Sequence, residues 1–474
     1  MTRQALWGAH GHPAAATGDD PVDLPGTSDV VVVGAGITGL AAALQVAATG
    51  RSVTVLEARR AGSGTTGRST AKLSVLQGTR LSSIARQHPA DVVSSYVEAN
   101  QAAQRWLLEL CERLEVPVQR RAAVTYATSS AGARTVRREL EVARSAGLAV
   151  DWIERDDDLP FPITGAVRLQ DQAQVDPAAL VTAMVREARA LGVRVVEGVR
   201  VTRVAGQDPV RVVSSAGEVD ADLVVVATGT PILDRGAFFG RQTAQRSYSV
   251  AFRTPLPAVA GMYLAADQPS RSLRDVPDRA EGPVLLVGGA GHPTGRVREH
   301  AVRLDELRAW TAEWFPDAEE LAAWSAQDYE PARQLPFAGP VLPGADRIWV
   351  MGGFAKWGMT NGPAAAMALA GRLAGDAPSW AETLHPWRLR ELRAAPQLVH
   401  DNAAVGFEMA RGWIRPWAAG RGRVCPHLGG VVRWNDAEES WDCPLHGSRF
   451  DRAGAVLDGP AVRDLRRLPG ARPA

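Results

Sequence analysis

Two cysteine–histidine pairs sit close to the C-terminal end of the sequence. Cys425 and His427 form C-x-H, and Cys443 and His446 form C-x-x-H. The 474 residues contain only three cysteines and nine histidines, so placing two of each here calls for a shared task. A zinc finger would pair C-x-x-C with H-x-x-x-H, and that pattern is absent. One thiolate and one imidazole from each of two loops suit a [2Fe–2S] cluster, with both cysteines on one iron and both histidines on the other. Cys425, His427, Cys443 and His446 are therefore the expected metal ligands. The other histidines show no D-x-x-H-x-x-x-x-H run, so a second, mononuclear iron on two histidines and a carboxylate is not expected.

A second chemical signal lies near the other end. Gly34, Gly36 and Gly39 form G-x-G-x-x-G between a valine run, Val30 to Val33, and a helix predicted over Ile37 to Thr49 with Gly50 as its C-cap. The first glycine permits the tight turn, the second lets a pyrophosphate approach the backbone, and the third lets helix pack on strand. Unpaired N–H groups at the helix start then face the phosphates. Glu57 ends the next predicted strand, placed to bind a ribose hydroxyl pair.

The elements that position these residues follow an order that resembles the D-amino-acid oxidase/sarcosine oxidase (DAO) superfamily of FAD enzymes. The loop "GSGTTGRSTAKLS" stands where that family wraps its flavin. "VDPAALVTAMVREARALGVRVVEGVRVTRV" is similar to its proline-containing helix and adenine-side strand. "DLVVVATGTP" is similar to the strand closing over the dinucleotide, and "GGFAKWGMTNGPAAA" to the segment beside the ring. The resemblance implies FAD contacts at Gly34, Ala35, Gly36, Ile37, Thr38, Gly39, Glu57, Ala58, Thr70, Ala71, Lys72, Val201, Thr228, Gly229, Gly353, Lys356, Gly358, Met359 and Thr360. "CPHLGG" and "CPLHGSRFDRAGAVLDGPA" resemble the two ligand loops and trailing strand of Rieske [2Fe–2S] domains. Only "AAGRGRV" separates "GWIRPW" from Cys425, so this domain is expected to be shortened and to lean on the flavoprotein.

The implied fold class is α/β (α+β): a Rossmann-like FAD-binding domain, an antiparallel-sheet substrate domain roofing the flavin, and a small all-β Rieske-like C-terminal domain. The expected boundaries are a disordered lead-in at 1–27, a DAO-type domain at 28–395 and a shortened Rieske domain at 396–474. FAD binding falls mainly to 28–88, 170–245 and 335–380, and the roof mainly to 89–169 and 246–334. Residues 89–145 read as mostly helical, with Cys111 a packed core thiol. "VGGAGHPTG" reads as a turn in the roof rather than a second dinucleotide site, and its His292 as structural.

Of 53 basic residues, all but Lys72 and Lys356 are arginine. Both lysines fall in segments that the resemblance puts beside the flavin, where a compact ammonium can stabilise a reduced anionic ring or hold a substrate carboxylate. Arg246 and Tyr248 in "QRSYSVAFR" are the further catalytic candidates, as substrate contacts in the roof. The expected function is oxidation of a small amine or amino acid at CH–NH or CH–NH2 groups, with electrons passed to the cluster. The alternatives are a reductase in which the cluster feeds the flavin, and a redox sensor without turnover.

A net charge of +1 supports neither nucleic-acid nor membrane-surface binding. No apolar run reaches the length of a membrane span, and the start of the sequence lacks an export signal. The expected location is cytoplasmic, with a small amine or amino-acid substrate and an electron-transfer partner of unknown identity. Respiratory Rieske proteins carry an extra disulfide-forming cysteine on each ligand loop, and here Gly430 and Leu445 take those places, as suits a reducing compartment. High-potential members also place a tyrosine two residues after the second-loop serine. Here Phe450 stands two residues after Ser448 in place of that tyrosine, removing a hydrogen bond to sulfur. The reduction potential is therefore expected near the bottom of the Rieske range of roughly −150 to +300 mV. A redox titration followed by EPR checks this, and a midpoint near the top of that range would refute it.

Overall fold

A computed structural model describes residues 5–9, 23–255, 259–277, 282–388, 394–419 and 423–467. The valine-rich runs are buried on both faces, and so they form a parallel sheet rather than an alternating one. Its order is Phe337–Pro340, Ile348–Gly352, Gly217–Val226, Thr27–Val33, Val53–Leu56 and Arg194–Val196. Along this order neighbours are parallel except at the Phe337 edge, and Val201–Gly206 and Val210–Ser214 add an antiparallel flap to Gly217–Val226. Helices Ile37–Ala47 and Gly358–Ala374 pack together on one face within one apolar core. Gly362 makes this possible, because a Cβ there would lie 2.5 Å from Thr38 Oγ1, while Gly39 lets the first helix pack on the phosphate turn, where a Cβ would lie 1.9 Å from Gly34 O.

The roof is a nine-stranded sheet, antiparallel except where Met262–Ala265 pairs parallel with Val118–Ala127. Residues 89–145 are mostly helical, as expected: helices Ala90–Arg113 and Ser130–Ser145 flank strand Val118–Ala127, a central roof strand. Its many charged and small residues hide the period of two. One expectation is corrected: "VGGAGHPTG" is mostly strand, Val287 to Pro293 belonging to strand Val284–Pro293, paired with Gln242–Arg253 and Arg271–Val276, and the turn is confined to Thr294 and Gly295. Cys111 is buried in the core as expected.

The C-terminal lobe is small. Strands Arg433–Asn435, Ser440–Asp442, Arg449–Phe450 and Val456–Asp458 form a four-stranded sheet, and Arg423–Val424 pairs with Arg466–Arg467. Helix Ala395–Ala419 precedes it. Among the described residues, no helix is long and apolar enough to cross a membrane.

The expected disorder of 1–27 is also revised in part; residues 1–4 and 10–22 lie outside the described residues. Leu6–Ala9 forms a short 3-10 turn, and Trp7 is only 1 % exposed. Its Nε1 donates to Ser69 O at 2.9 Å, and the Arg274 guanidinium sits 5.5 Å from the ring centroid. An isolated tryptophan in a polar lead-in carries no periodicity, so nothing local announces its docking. Trp7→Ala should therefore cost about 3–5 kcal/mol, read as a lowered urea midpoint with an unchanged slope.

Candidate active site and cluster centre

One large cavity runs from the glycine fingerprint to the roof. Its empty space, open mouth included, is about 1420 Å³, and it runs past the glycine turn, Glu57 and the start of helix Gly358–Ala374. Of the expected FAD contacts, Gly34, Gly36, Ile37, Thr38, Glu57, Ala58, Val201, Thr228, Gly229, Lys356, Gly358 and Met359 line it. Glu57 accepts from Ala35 N at 2.9 Å and from Arg59 N at 2.9 Å, fixing its carboxylate at the end of the phosphate turn. The N-terminus of helix Gly358–Ala374 also opens onto the cavity. Ala355 and Lys356 both hold left-handed φ, +47° and +73°, a backbone state that costs non-glycine residues energy. Ala355 N–H donates to Tyr329 O at 3.1 Å and holds the turn in place.

Other expected contacts lie away from the cavity. Ala35 and Gly39 sit behind the phosphate turn, and Gly353 packs on Phe337 and Pro331. Thr360 hydrogen-bonds Asn100 and Gln77 inside the protein. The Gly/Thr loop does line the site, but through Gly62, Gly64, Thr65, Thr66 and Ser69 rather than Thr70, Ala71 and Lys72. Lys72 instead donates to Ser272 Oγ at 2.5 Å and Tyr263 O at 3.0 Å within the roof. Burial, and then the nearby Arg274 charge, lower its pKa to about 7.

Arg246 and Tyr248 are placed on the far side of their strand. Arg246 donates to Ser325 and Gln327, and lies 3.9 Å from both Glu438 and Asp442 of the C-terminal lobe. Tyr248 OH contacts His292 Nε2 at 3.2 Å and His300 Nδ1 at 3.0 Å. Neither lines the cavity. A strand alternates faces at every residue, so Ser247, between them, points the other way. A Cβ on Gly291 would lie 3.4 Å from Lys356 Nζ and 3.8 Å from Ser247 Oγ, so both groups border Gly291. Sequence reasoning also missed Arg59, Arg200, Gln327, Asp328 and Tyr329, which line the cavity. Asp328 Oδ2 is buried without a hydrogen-bond partner, and burial raises its pKa to about 6 against the pull of Lys356.

The two cysteine–histidine loops are conformational twins. Cys425 N–H donates to Gly430 O and Cys443 N–H to Ser448 O, both at 2.8 Å. Gly429 N–H returns to Cys425 O at 3.0 Å and Gly447 N–H to Cys443 O at 3.1 Å. Gly429 and Gly447 carry φ of +75° and +79°, which explains a glycine four residues after each cysteine. The donors meet as a thiol pair and an imidazole pair. Cys425 and Cys443 are hydrogen-bonded to each other, and the His427 and His446 ring centroids are 5.3 Å apart. Among the described residues, no three His, Cys, Asp or Glu side chains gather as a single ion would need. Pairing fits two irons instead. Cys425 is drawn down to about 7 by Cys443, with help from the backbone N–H groups of His427 and Leu428 and the Ser448 hydroxyl. Burial keeps both imidazoles neutral, and His446 Nδ1 is buried with no partner, free for a metal. A Cβ on Gly430 would lie 2.7 Å from Leu445 Cδ1, so these two positions do face each other.

The flavin-side part of the chain supplies the rest of this centre. His427 Nε2 donates to Asp234 Oδ1 at 2.9 Å, which leaves Nδ1 for iron. Phe239 stands edge-on to both imidazoles, 4.8 Å from each. Arg296 Nε donates to Pro444 O at 3.0 Å. No spacing rule links residues so far apart in sequence, so only the structure reveals Asp234 and Phe239.

Lys72 gives a pH test of the placement. Between about pH 7 and the ordinary lysine value of 10.5, the folded chain has released this proton while the unfolded chain retains it. Stability therefore rises with pH through that window. The melting temperature of the parent relative to Lys72→Met should climb from pH 7 to pH 10; a constant difference would show that Lys72 is not desolvated.

Comparison with known proteins agrees with this geometry. The profile "FAD dependent oxidoreductase" (DAO) matches residues 29–372, and "Rieske [2Fe-2S] domain" matches 417–469. The putative Rieske 2Fe-2S iron-sulfur protein YhfW of Bacillus subtilis is 27 % identical over 477 residues, covering 93 % of each chain. The cytochrome b6-f complex iron-sulfur subunit 1 of Nostoc is 55 % identical over 42 residues, 9 % of this chain and 24 % of that one. Glycine oxidase from Geobacillus kaustophilus superposes with a TM-score of 0.64 at 21 % identity, over 75 % of this chain and 96 % of that one. L-proline dehydrogenase from P. horikoshii gives 0.65 at 18 % identity, over 78 % and 99 %. With its fold, its dinucleotide cavity and most of its length accounted for in this way, the chain belongs to the DAO family of FAD-dependent oxidoreductases and carries a C-terminal Rieske [2Fe–2S] domain.

Proposed function

We propose that the chain oxidises a small amine or amino acid at the roofed end of its cavity and passes the electrons to the cluster in its own C-terminal lobe. When bound, FAD supplies a hydride acceptor and the cluster a one-electron carrier. Gln327 carries this reading. It lines the cavity, and its Nε2 donates to Gly447 O at 2.7 Å, one residue from the ligand His446. The cavity wall and the ligand loop are thus in direct contact.

The substrate class follows from two charges on the same wall. The Lys356 ammonium suits a carboxylate, and Asp328, with one oxygen unpartnered, suits an ammonium. A pKa near 6 leaves Asp328 mostly ionised at neutral pH. A zwitterionic amino acid satisfies both groups, and a simple amine satisfies Asp328 alone. The folds shared with glycine oxidase and L-proline dehydrogenase, whose names specify amino acids, are in keeping with this. Gly430 and Leu445, in contact where a disulfide would otherwise stand, favour a reducing, cytoplasmic setting.

The test is an anaerobic titration of the purified protein with a panel of amines and amino acids, followed by visible absorbance and low-temperature EPR on the same samples. Flavin bleaching with parallel growth of a Rieske signal is the expected result. Bleaching with the cluster left oxidised would refute the internal path. Flavin reduction only through an external donor to the cluster would reverse the direction of flow.

A further inference from the structure

The outer wall of the dinucleotide cavity does not come from the FAD-binding part of the chain. Leu457, Asp458, Gly459, Ala461 and Val462, in the C-terminal lobe, line the same cavity as Gly34, Glu57 and Thr228. These residues lie in strand Val456–Asp458 and the turn that follows it.

Contacts from both sides hold this segment in place. On the nucleotide side, Arg200 Nη2 donates to Val456 O at 2.9 Å. Arg59, itself on the cavity wall, lies 3.7 Å from Asp458. Tyr329 OH donates to Gly459 O at 3.5 Å, and Gly459 packs beside Ile232 and Thr230. On the lobe side, Arg449 Nη1 binds Asp458 at 2.9 Å, and Ala461 N–H donates to Ser448 Oγ at 3.0 Å. Ser448 directly follows the second ligand loop and also hydrogen-bonds the Cys425 thiol. The wall of the cavity is thus two hydrogen bonds away from a cluster ligand, through the Ser448 hydroxyl.

We propose that the Rieske lobe is part of the FAD-binding site: Leu457–Val462 is a contact surface for the dinucleotide, so cofactor binding and docking of the lobe are coupled. A ligand held across two surfaces stabilises their docked arrangement, and by reciprocity the docked lobe tightens the ligand. The inference rests on FAD as the occupant of the cavity and needs nothing about the substrate.

Leu457 provides the test, because it is half-buried and faces the cavity. Full-length protein is stripped of FAD and re-titrated with it, with affinity read from quenching of FAD fluorescence and cluster integrity from EPR. FAD is anionic through its pyrophosphate, so Leu457→Glu should bind it at least about tenfold more weakly than Leu457→Lys, with EPR signals alike. A purely structural role would move both variants together, and equal affinities would overturn the proposal. Should either variant lose its cluster, hydrogen exchange on the unaltered chain decides: added FAD should slow exchange in the 456–462 peptide, and an unchanged rate there would overturn the proposal. A parent chain with no FAD affinity would instead refute the cavity assignment itself, a result distinct from both.

Discussion

A buried ionic network between the roof sheet and the Rieske lobe sets the geometry on which the rest of the structure depends. Arg246 and Asp442 are both completely withdrawn from water and lie 3.9 Å apart. Arg449 binds Asp442 at 3.2 Å and Asp458 at 2.9 Å, and Glu438 meets Arg68 at 3.2 Å. Ser440 also donates to Asp442 Oδ1, the oxygen that Arg449 binds, and Asn435 donates to Oδ2. Removing one member of such a set strands the others as unpaired buried charges, which is far more costly than losing an exposed ion pair. The matched charges therefore favour one docked position for the lobe. That position places the second ligand loop against Gln327 and the segment after Asp458 over the dinucleotide cavity.

The same packing accounts for how so short a Rieske domain can present a complete ligand set. Among the described residues, the one strand of this lobe before Cys425 is the two-residue Arg423–Val424. The missing support comes from elsewhere in the chain: Asp234 and Phe239 cover the imidazole edge, and Arg296 and Gly295 hold the loops through Pro444 and Arg433. Neighbouring groups of this kind orient metal ligands and tune the metal they hold. The cluster centre is thus a joint product of two sequence regions about two hundred residues apart, and so, at the other end of the lobe, is the cavity.

Much of this protein was decided by local chemistry that a linear reading can follow. The phosphate turn was legible because a glycine fingerprint, a valine strand and Glu57 obey one spacing. The four cluster donors were legible because each twin loop needs its cysteine, its histidine and a left-handed glycine within five residues. These constraints act over a few bonds, so residue order alone specifies them. Arg246 and Tyr248 show where that stops. Their chemistry fits substrate binding, but strand alternation and the docked lobe turn them toward Asp442 and His292, leaving Ser247 on the opposite side, where it and Lys356 border Gly291. Lys72, though close in sequence to the flavin loop, is drawn into the roof by Ser272 and Tyr263. Trp7, Asp234, Gln327 and Leu457 gain their roles only from partners far along the chain, since a contact between distant segments exists only once both have been packed and desolvated.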